Sequence, residues 1–438
     1  MEIKMVYKKE LAVRYDTDVL VVGGGPSGVA AAITAARKGK RVLILENNGC
    51  FGGEGTTGLV PTFTQFTDGK DFLVGGIGRE IRDLTIGEYC DYKRDFYAFN
   101  VERLKRVYDT LVMNERNIEF LFFTKMVDVV AHDDHVDCVI AASKSGIFAI
   151  HAKIYIDCTG DGDLCAWAGA DFEYGDENGD VMPPTLCSLW SNIDYSCVEP
   201  LHNKLEVAFK DGVFTNEDRH IPGVISAYQE KGIGVGNVGH VFGANGTDDV
   251  SLTKAMVEGR KIVSEFETFF NGYVQGYENA HLCYTADMLG IRESRRIVGD
   301  YQLCGEDFKR RAVFDDEIGR YAYPVDIHIM KPNKEAYDAY KEEFTKTMVY
   351  GIGESYGIPY RILTPAKLSN VLVAGRCVST DRQMQASIRV MPGCYITGQA
   401  AGDAAVLACE SEDTRKVNIS QLQSEIVKSG GIIVNRNR

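Results

Sequence analysis

The chain has 438 residues, a formal net charge of −14 and twelve cysteines. That length exceeds what one growing hydrophobic core usually serves, so two closely joined domains are expected. The acidic balance, with no Lys/Arg cluster or basic helix face, argues against nucleic acid or an anionic membrane surface as partner. A small molecule is the better fit. No cysteines form a C-x-x-C pair or a zinc or iron–sulfur spacing, so no metal site is expected and a reducing, cytoplasmic setting is. The first residues lack a signal h-region, and no window approaches 18 uncharged apolar residues.

In chain order, residues 16–47 read strand–helix–strand. Val19 to Val22 run into Gly23-Gly24-Gly25-Pro26-Ser27-Gly28, an Ala-rich helix follows, and a second apolar strand closes at Glu46 and Asn47. Gly23, Gly25 and Gly28 match G-x-G-x-x-G: the first permits a tight turn, the second lets backbone approach a pyrophosphate, and the third lets helix pack on strand. The helix N-terminus then offers unpaired N–H groups and a positive dipole end to the phosphates. Glu46, about 20 residues on, is placed to accept from a ribose hydroxyl. The chain is therefore expected to bind a dinucleotide and to be a redox enzyme.

Residues 101–116 read as a helix. Met126 to Ala131, Val136 to Ala142 and Ile147 to Ile156 read as a β-meander returning to the main sheet, broken by short polar turns. At Asp157-Cys158-Thr159-Gly160 a strand again ends in a small-residue turn, after which Asp163 is expected to cap a short helix. From Pro183 to about Tyr360 aromatics and loops increase. We expect an inserted α+β substrate domain over residues 183–360, with the first domain built from 1–182 and 361–438. Its clearest element is a helix from Ser251 to Tyr273, whose stripe of Leu252, Met256, Val263, Phe266, Phe270 and Tyr273 reads as core. Val371 to Gly375 restores the buried-strand pattern, and Met391-Pro392-Gly393 opens a small-residue helix through Ala408.

These motifs, together with Gly49-Cys50-Phe51-Gly52-Gly53, Gly290-Ile291-Arg292-Glu293-Ser294-Arg295-Arg296 and the run from Ala374-Gly375-Arg376 to Pro392, resemble the FAD-dependent oxidoreductases of the two-dinucleotide-binding-domain type. The likeness covers nearly the whole chain, in family order. It implies an α/β, Rossmann-like domain with a mostly parallel sheet, and FAD as cofactor. It implies that Gly52 and Gly53 lie along the pyrophosphate and ribityl region, and that Met126 and Val127 offer backbone contacts to the adenine, with Thr159 and Gly160 near the same end. Gly375 then lies beside the ribityl chain, and the helix at Pro392 and Gly393 points its N-terminus at the flavin. Related proteins often carry an acid after the late glycine. Arg376 stands there instead, leaving Asp161 or Asp381 for the ribityl hydroxyls.

A flavin carries the redox chemistry, so the protein must bind, orient and handle protons. Arg292 and Arg296 share a face if the run is helical, and a guanidinium there suits an anionic or carbonyl-bearing substrate or a structural ion-pair network. Asp326 and His328 fall on one side of a strand by alternation, a pair suited to acid/base work or to a structural role. Tyr360 is a candidate proton donor or an interface tyrosine. Arg389 is a candidate for flavin or substrate contact, or else for pairing with Asp381 or Asp403. The expected activity is hydride transfer between a small molecule and flavin N5, in either direction, with an unidentified electron acceptor. A flavin monooxygenase and an FAD-binding electron-transfer subunit are the alternatives. The only tryptophans are Trp167 and Trp190, outside any halogenase motif, and a homo-oligomer is left open.

Overall fold

The computed structural model describes residue 5, residues 8–87 and residues 96–433. Four apolar segments set the central sheet. Val13–Val22 lies parallel to Val42–Leu45 on one side and to Gly146–Asp157 on the other, and Val42–Leu45 carries Ile118–Leu121 as the next parallel strand. The other edge of Gly146–Asp157 is divided between two partners. Its first half pairs antiparallel with His135–Ser143, which pairs in turn with Lys125–His132, forming the expected meander. Its last residues, Tyr155 to Asp157, pair parallel with Val371–Val373. The sheet is thus mostly parallel, with its final parallel strand contributed from far along the chain.

The strand runs are buried on both faces, as a covered parallel sheet requires: Val19, Leu20, Val21 and Ile154 have no exposed surface. On one face lies the helix Pro26–Arg37, whose alanines let the helix Met391–Ala408 approach closely. A Cβ at Gly398 would stand 2.2 Å from the Ser27 carbonyl oxygen, and one at Gly402 2.4 Å from that of Ala31. The two helices therefore touch backbone to backbone through a glycine spaced one turn from the next.

The middle of the chain builds a four-stranded antiparallel sheet in the order Gly223–Tyr228, Ile233–Asn237, Ser188–Ser191, His281–Thr285. The helix Asp249–Tyr273, capped by the Asp248 side chain on Ser251 N–H, packs against it. Phe270 meets Trp190 edge to face at 4.9 Å between centroids, and Val263, Phe266 and Phe270 are core, whereas Leu252, Met256 and Tyr273 of the stripe are half-buried. One condition is not met here and one expectation fails. Arg292 to Ser294 carry no helix and Arg295–Ile297 is a strand paired with Phe172–Tyr174, so this run is no helix; Arg295 pairs with Asp163, while Arg296 and Glu293 pair with each other. Residues 322–329 form neither helix nor strand, so Asp326 and His328 do not lie in a strand. Asp163 is likewise the first residue of its helix, Gly162 being the N-cap with φ +67°. No helix among the described residues is long and apolar enough to cross a membrane, and all eleven described cysteines are free.

Candidate active site

A cavity of about 1040 Å³ opens where the parallel strands end. The three glycines of the loop beneath it have different physical reasons. Gly23 has φ +103°, and a Cβ there would stand 2.3 Å from the Cys158 carbonyl oxygen. A Cβ at Gly28 would fall 1.9 Å from the Gly23 carbonyl oxygen. At Gly25 a Cβ would meet no protein atom within 4 Å. Gly23 and Gly28 are needed by the fold, whereas Gly25 leaves open the space over the start of the helix Pro26–Arg37. That start has no side-chain cap, so its amides face the cavity unspent. The helix Met391–Ala408 also begins uncapped, at Val390 and Met391 on the cavity wall. Two positive dipole ends converge on one space, which fits an extended pyrophosphate-bearing cofactor.

Glu46 closes the second strand, 6% exposed. One carboxylate oxygen accepts from Gly24 N–H (2.8 Å) and the other from Asn48 N–H (2.7 Å) and Nδ2 (2.8 Å), which fixes it on the cavity wall beside Asn47. Asp157, fully buried, accepts from Thr159 N–H and Oγ1 and from Cys165 N–H, shaping the turn that presents Thr159, Gly160 and Asp161. Gly53, Met126, Gly375 and Arg376 complete this end.

Arg376 sits between two acids. Its Nη2 donates to Asp161 Oδ1 at 2.7 Å and its Nη1 to Glu54 Oε1 at 3.3 Å. Glu54 also accepts from Ile291 N–H, but its Oε2 is buried with no partner. Burial pushes this carboxyl up to about 7, with Arg376 opposing and Asp161 assisting. An orphaned, cavity-lining oxygen of this kind is a ready acceptor or donor for a hydroxyl-bearing ligand. Asp381 is spent elsewhere, accepting from Met384 and Gly305 N–H groups.

Not every expected cofactor contact lies on the cavity. Gly52 forms a turn at φ +106°, with Thr56 and Tyr108 where its Cβ would be, and Gly393 is pressed against the Ile388 carbonyl. Gly52, Gly28, Pro392 and Gly393 shape the walls without reaching them, and Val127 points outward, 42% exposed.

The same cavity continues to a cluster of imidazoles, guanidiniums and carboxylates. The Asp218 carboxylate accepts from His240 N–H (3.1 Å) and lies 2.8 Å from His240 Nδ1. Burial would raise Asp218, but His240 and further hydrogen bonds overcome it and hold it low. An ionised carboxylate only accepts, so His240 Nδ1 carries the proton. Burial keeps His240 neutral; its Nε2 is then an acceptor, 2.7 Å from His328 Nδ1, which must donate. His328 Nε2 is left with a free lone pair, 3.5 Å from Asp326 Oδ2. Burial and the charge of Arg292 hold His328 far below its ordinary value. Asp326, which burial alone would raise, is held low, and Arg389 Nη2 donates to its carbonyl (2.9 Å) and carboxylate (3.4 Å). Within the Asp326–His328 pair the carboxylate is the charged member. His220 stacks on His328 at 4.3 Å and 9°, and burial pushes it down to about 4.

Of the candidates for chemistry, His328, Arg292 and Arg389 meet here, and Tyr360 does not. Its hydroxyl donates to the Thr414 carbonyl at 2.8 Å in the core, away from the cavity. Neither pairing expected for Arg389 forms, since Asp381 is a helix cap and Asp403 pairs with Lys38 at 3.1 Å. Asp218, His220, His240 and Glu54 were not anticipated. The chain has only eight histidines, and the Asp-x-His spacing of 218–220 and 326–328 is the one local signal that pointed toward the cluster.

A protein-family model described as FAD dependent oxidoreductase matches residues 18–426. Among curated proteins, a soluble pyridine nucleotide transhydrogenase of Chromohalobacter salexigens is 28% identical over 147 residues, 33% of this chain and 31% of that protein. A thiamine thiazole synthase of Pyrobaculum arsenaticum is 48% identical over 59 residues, 12% of this chain and 23% of that protein. The chain spans a third or less of these relatives' length. A geranylgeranyl bacteriochlorophyll reductase-like structure from Thermoplasma acidophilum superposes with a TM-score of 0.49 at 13% identity, over 95% of this chain and 84% of that one. With the family model covering all but the chain ends, this protein belongs to the FAD-dependent oxidoreductases.

Proposed function

We propose that the protein transfers a hydride between a small-molecule substrate and FAD in the cytosol, with His328 handling the accompanying proton and a separate acceptor or donor closing the cycle. The observation that carries this reading is the continuity of one cavity from Gly25 and Glu46 to His328 and Arg292. FAD, when bound, supplies the hydride chemistry at its N5. Gly23, Gly25, Pro26 and Ser27, with the free amides of their helix, would hold the pyrophosphate; Glu46 and Asn47 the adenosine ribose; Met126 the adenine. Thr159, Gly160, Gly53, Gly375 and the Glu54–Arg376–Asp161 set would line the rest, with the helix start at Met391 facing the flavin.

His328 Nε2 would take a proton from a substrate hydroxyl or amine during oxidation and return it during reduction. Asp326 balances the imidazolium, and Asp218 through His240 fixes the ring so that the lone pair faces the cavity. We also read residues 183–360 as the substrate unit and 1–182 with 361–438 as the FAD-binding unit. Asp218, His220, His240, Arg292, Asp326 and His328 all fall in the former; Gly25, Glu46, Thr159 and Gly375 all fall in the latter.

Purified protein is expected to be yellow, or to take up FAD with the flavin bands. Protein that is colourless and cannot be reconstituted would defeat the reading. Anaerobic bleaching by a panel of hydroxy acids, sugars and amines then identifies the donor class. His328→Asn is expected to slow that bleaching about 10²- to 10⁴-fold at unchanged FAD content, and fast oxygen-dependent hydroxylation would assign a monooxygenase instead.

A further inference from the structure

In the run Arg292–Arg296, Arg295 pairs with Asp163 at 2.7 Å, and Arg296 pairs with Glu293 at 2.9 Å. Arg292 has no carboxylate partner among the described residues. Its Nη1 donates to the Pro183 carbonyl (2.8 Å) and Thr185 Oγ1 (2.9 Å), its Nη2 to Asn237 Oδ1 (3.1 Å), all neutral acceptors. Yet it is only 8% exposed and lies on the cavity wall. A buried charge is normally paired, because removing it from water without a counter-ion is costly. Arg389, behind Asp326, adds a second buried guanidinium whose Nε has no partner.

The groups facing His328 are Arg292, Asp326, His220 and His240, with Arg389, Tyr323 and Tyr340 beyond Asp326 and Asp218 behind His240. Two guanidiniums and two carboxylates cancel, with all three imidazoles neutral. An entering monoanion would leave one negative charge, and a proton on His328 Nε2 would cancel it between Asp326 and the ligand. Resting on the hydride-transfer reading above, taken in the direction of substrate reduction, we propose that the substrate is a carboxylate, held by Arg292 at the imidazole end of the cavity, and that its binding places on His328 Nε2 the proton that the ring then donates. The competing occupant is a divalent cation, since ligand atoms of His220, Asp326 and His328 lie within 4.8 Å of one another. The near-parallel stacking of His220 on His328 and the two guanidiniums oppose it.

The test titrates FAD-loaded, oxidised enzyme with acetate, glycolate and benzoate and with acetamide, glycolamide and benzamide. Perturbation of the flavin band and proton uptake by an indicator dye are followed. At least one carboxylate is expected to saturate, its amide to bind about tenfold or more weakly, and uptake to approach one proton per site. Affinity should fall as pH rises through the bound-state value of His328. Arg292→Gln should weaken carboxylate binding about tenfold or more, with Arg292→Lys recovering part of it. His328→Asn should abolish proton uptake with the unliganded flavin spectrum unchanged. The proposal is overturned if no carboxylate saturates, if amides bind equally, if Arg292→Gln binds like the parent, or if carboxylates enter without proton uptake. A divalent ion that survives dialysis at one per chain would overturn it too. Protein that never holds FAD sinks the hydride-transfer reading before any titration, whereas yellow protein indifferent to carboxylates sinks only this inference.

Discussion

At the Gly23–Gly28 end of the cavity backbone amides at two uncapped helix starts face the ligand space, beside the Glu46 carboxylate. At the other end the polar groups are side chains of His220, Arg292, Asp326, His328 and Arg389, backed by Asp218 and His240 and drawn from segments spread over more than 170 positions. Backbone groups come with the fold and cost no burial of ionised side chains. The side-chain end instead holds two buried carboxylates and two guanidiniums only because each has hydrogen bonds or a neighbour of opposite sign. The first end suits a cofactor held throughout turnover; the second suits a group that changes charge.

The sharpest way to break this comparison is to load the glycines differently. Gly28→Val puts a side chain on the Gly23 carbonyl, 1.9 Å from where Cβ must sit, and is expected to cost about 3 kcal/mol or more and to leave little soluble protein. In Gly25→Val the new Cβ meets no protein atom within 4 Å. It should fold, with the apoprotein melting like the parent, yet bind FAD at least about tenfold more weakly. Equal melting of both variants would remove the distinction between fold glycine and cofactor glycine.

What was legible in the sequence follows the same division. Gly23, Gly25, Gly28 and Glu46 are local, and their spacing encodes a turn whose geometry hardly depends on the rest of the chain. The helix Asp249–Tyr273 and the meander were legible for the same reason, because period alone determines which face is buried. The histidine cluster was not, since His240 acquires meaning only from His328, 88 positions away, and from Asp218, which fixes its tautomer. A helix in the dense Arg292–Arg296 run would have put Arg292 and Arg296 on one face; a strand pairing with Phe172–Tyr174, invisible locally, decided otherwise. Glu54 was overlooked because a lone acid in a glycine-rich turn reads as solvent-facing until Arg376 is known to sit against it.

At the side-chain end, Asp218→Asn tests whether orientation passes through His240. The amide is nearly isosteric, so FAD content should be unchanged. An amide presented to His240 Nδ1 no longer obliges that nitrogen to carry the proton, so the His328 lone pair is not held toward the cavity. Substrate-driven flavin reduction should fall about 10²-fold or more, with an altered pH profile. An unchanged profile would confine Asp218 to a structural role.

Glu54 lies where the two ends meet, and its effect is on stability. Its carboxyl is pushed from 4.5 up to about 7, so the folded state holds that proton more tightly than the unfolded chain does. Its contribution is therefore present in full below pH 4.5, declines as pH rises to about 7, and is constant above. The difference amounts to about 3 kcal/mol. In flavin-free protein, Glu54→Gln should gain that much relative to the parent between the low and high sides of this window. Urea unfolding on either side measures it, and a pH-independent difference would mean that the acid is solvated.

The smallest effect belongs to Tyr360, and it separates core from cavity. Burial pushes its phenol well above the usual range, and its one hydrogen bond goes to the Thr414 carbonyl, which joins the end of the middle segment to the C-terminal region. Tyr360→Phe removes that donor and leaves a buried carbonyl short of a partner, at a cost of about 1 kcal/mol. FAD content, carboxylate binding and flavin reduction should all match the parent, because nothing on the cavity wall changes. A selective loss of reduction rate at full FAD occupancy would place the phenol back in the chemistry and would mean that the protein works in a conformation with this hydrogen bond broken.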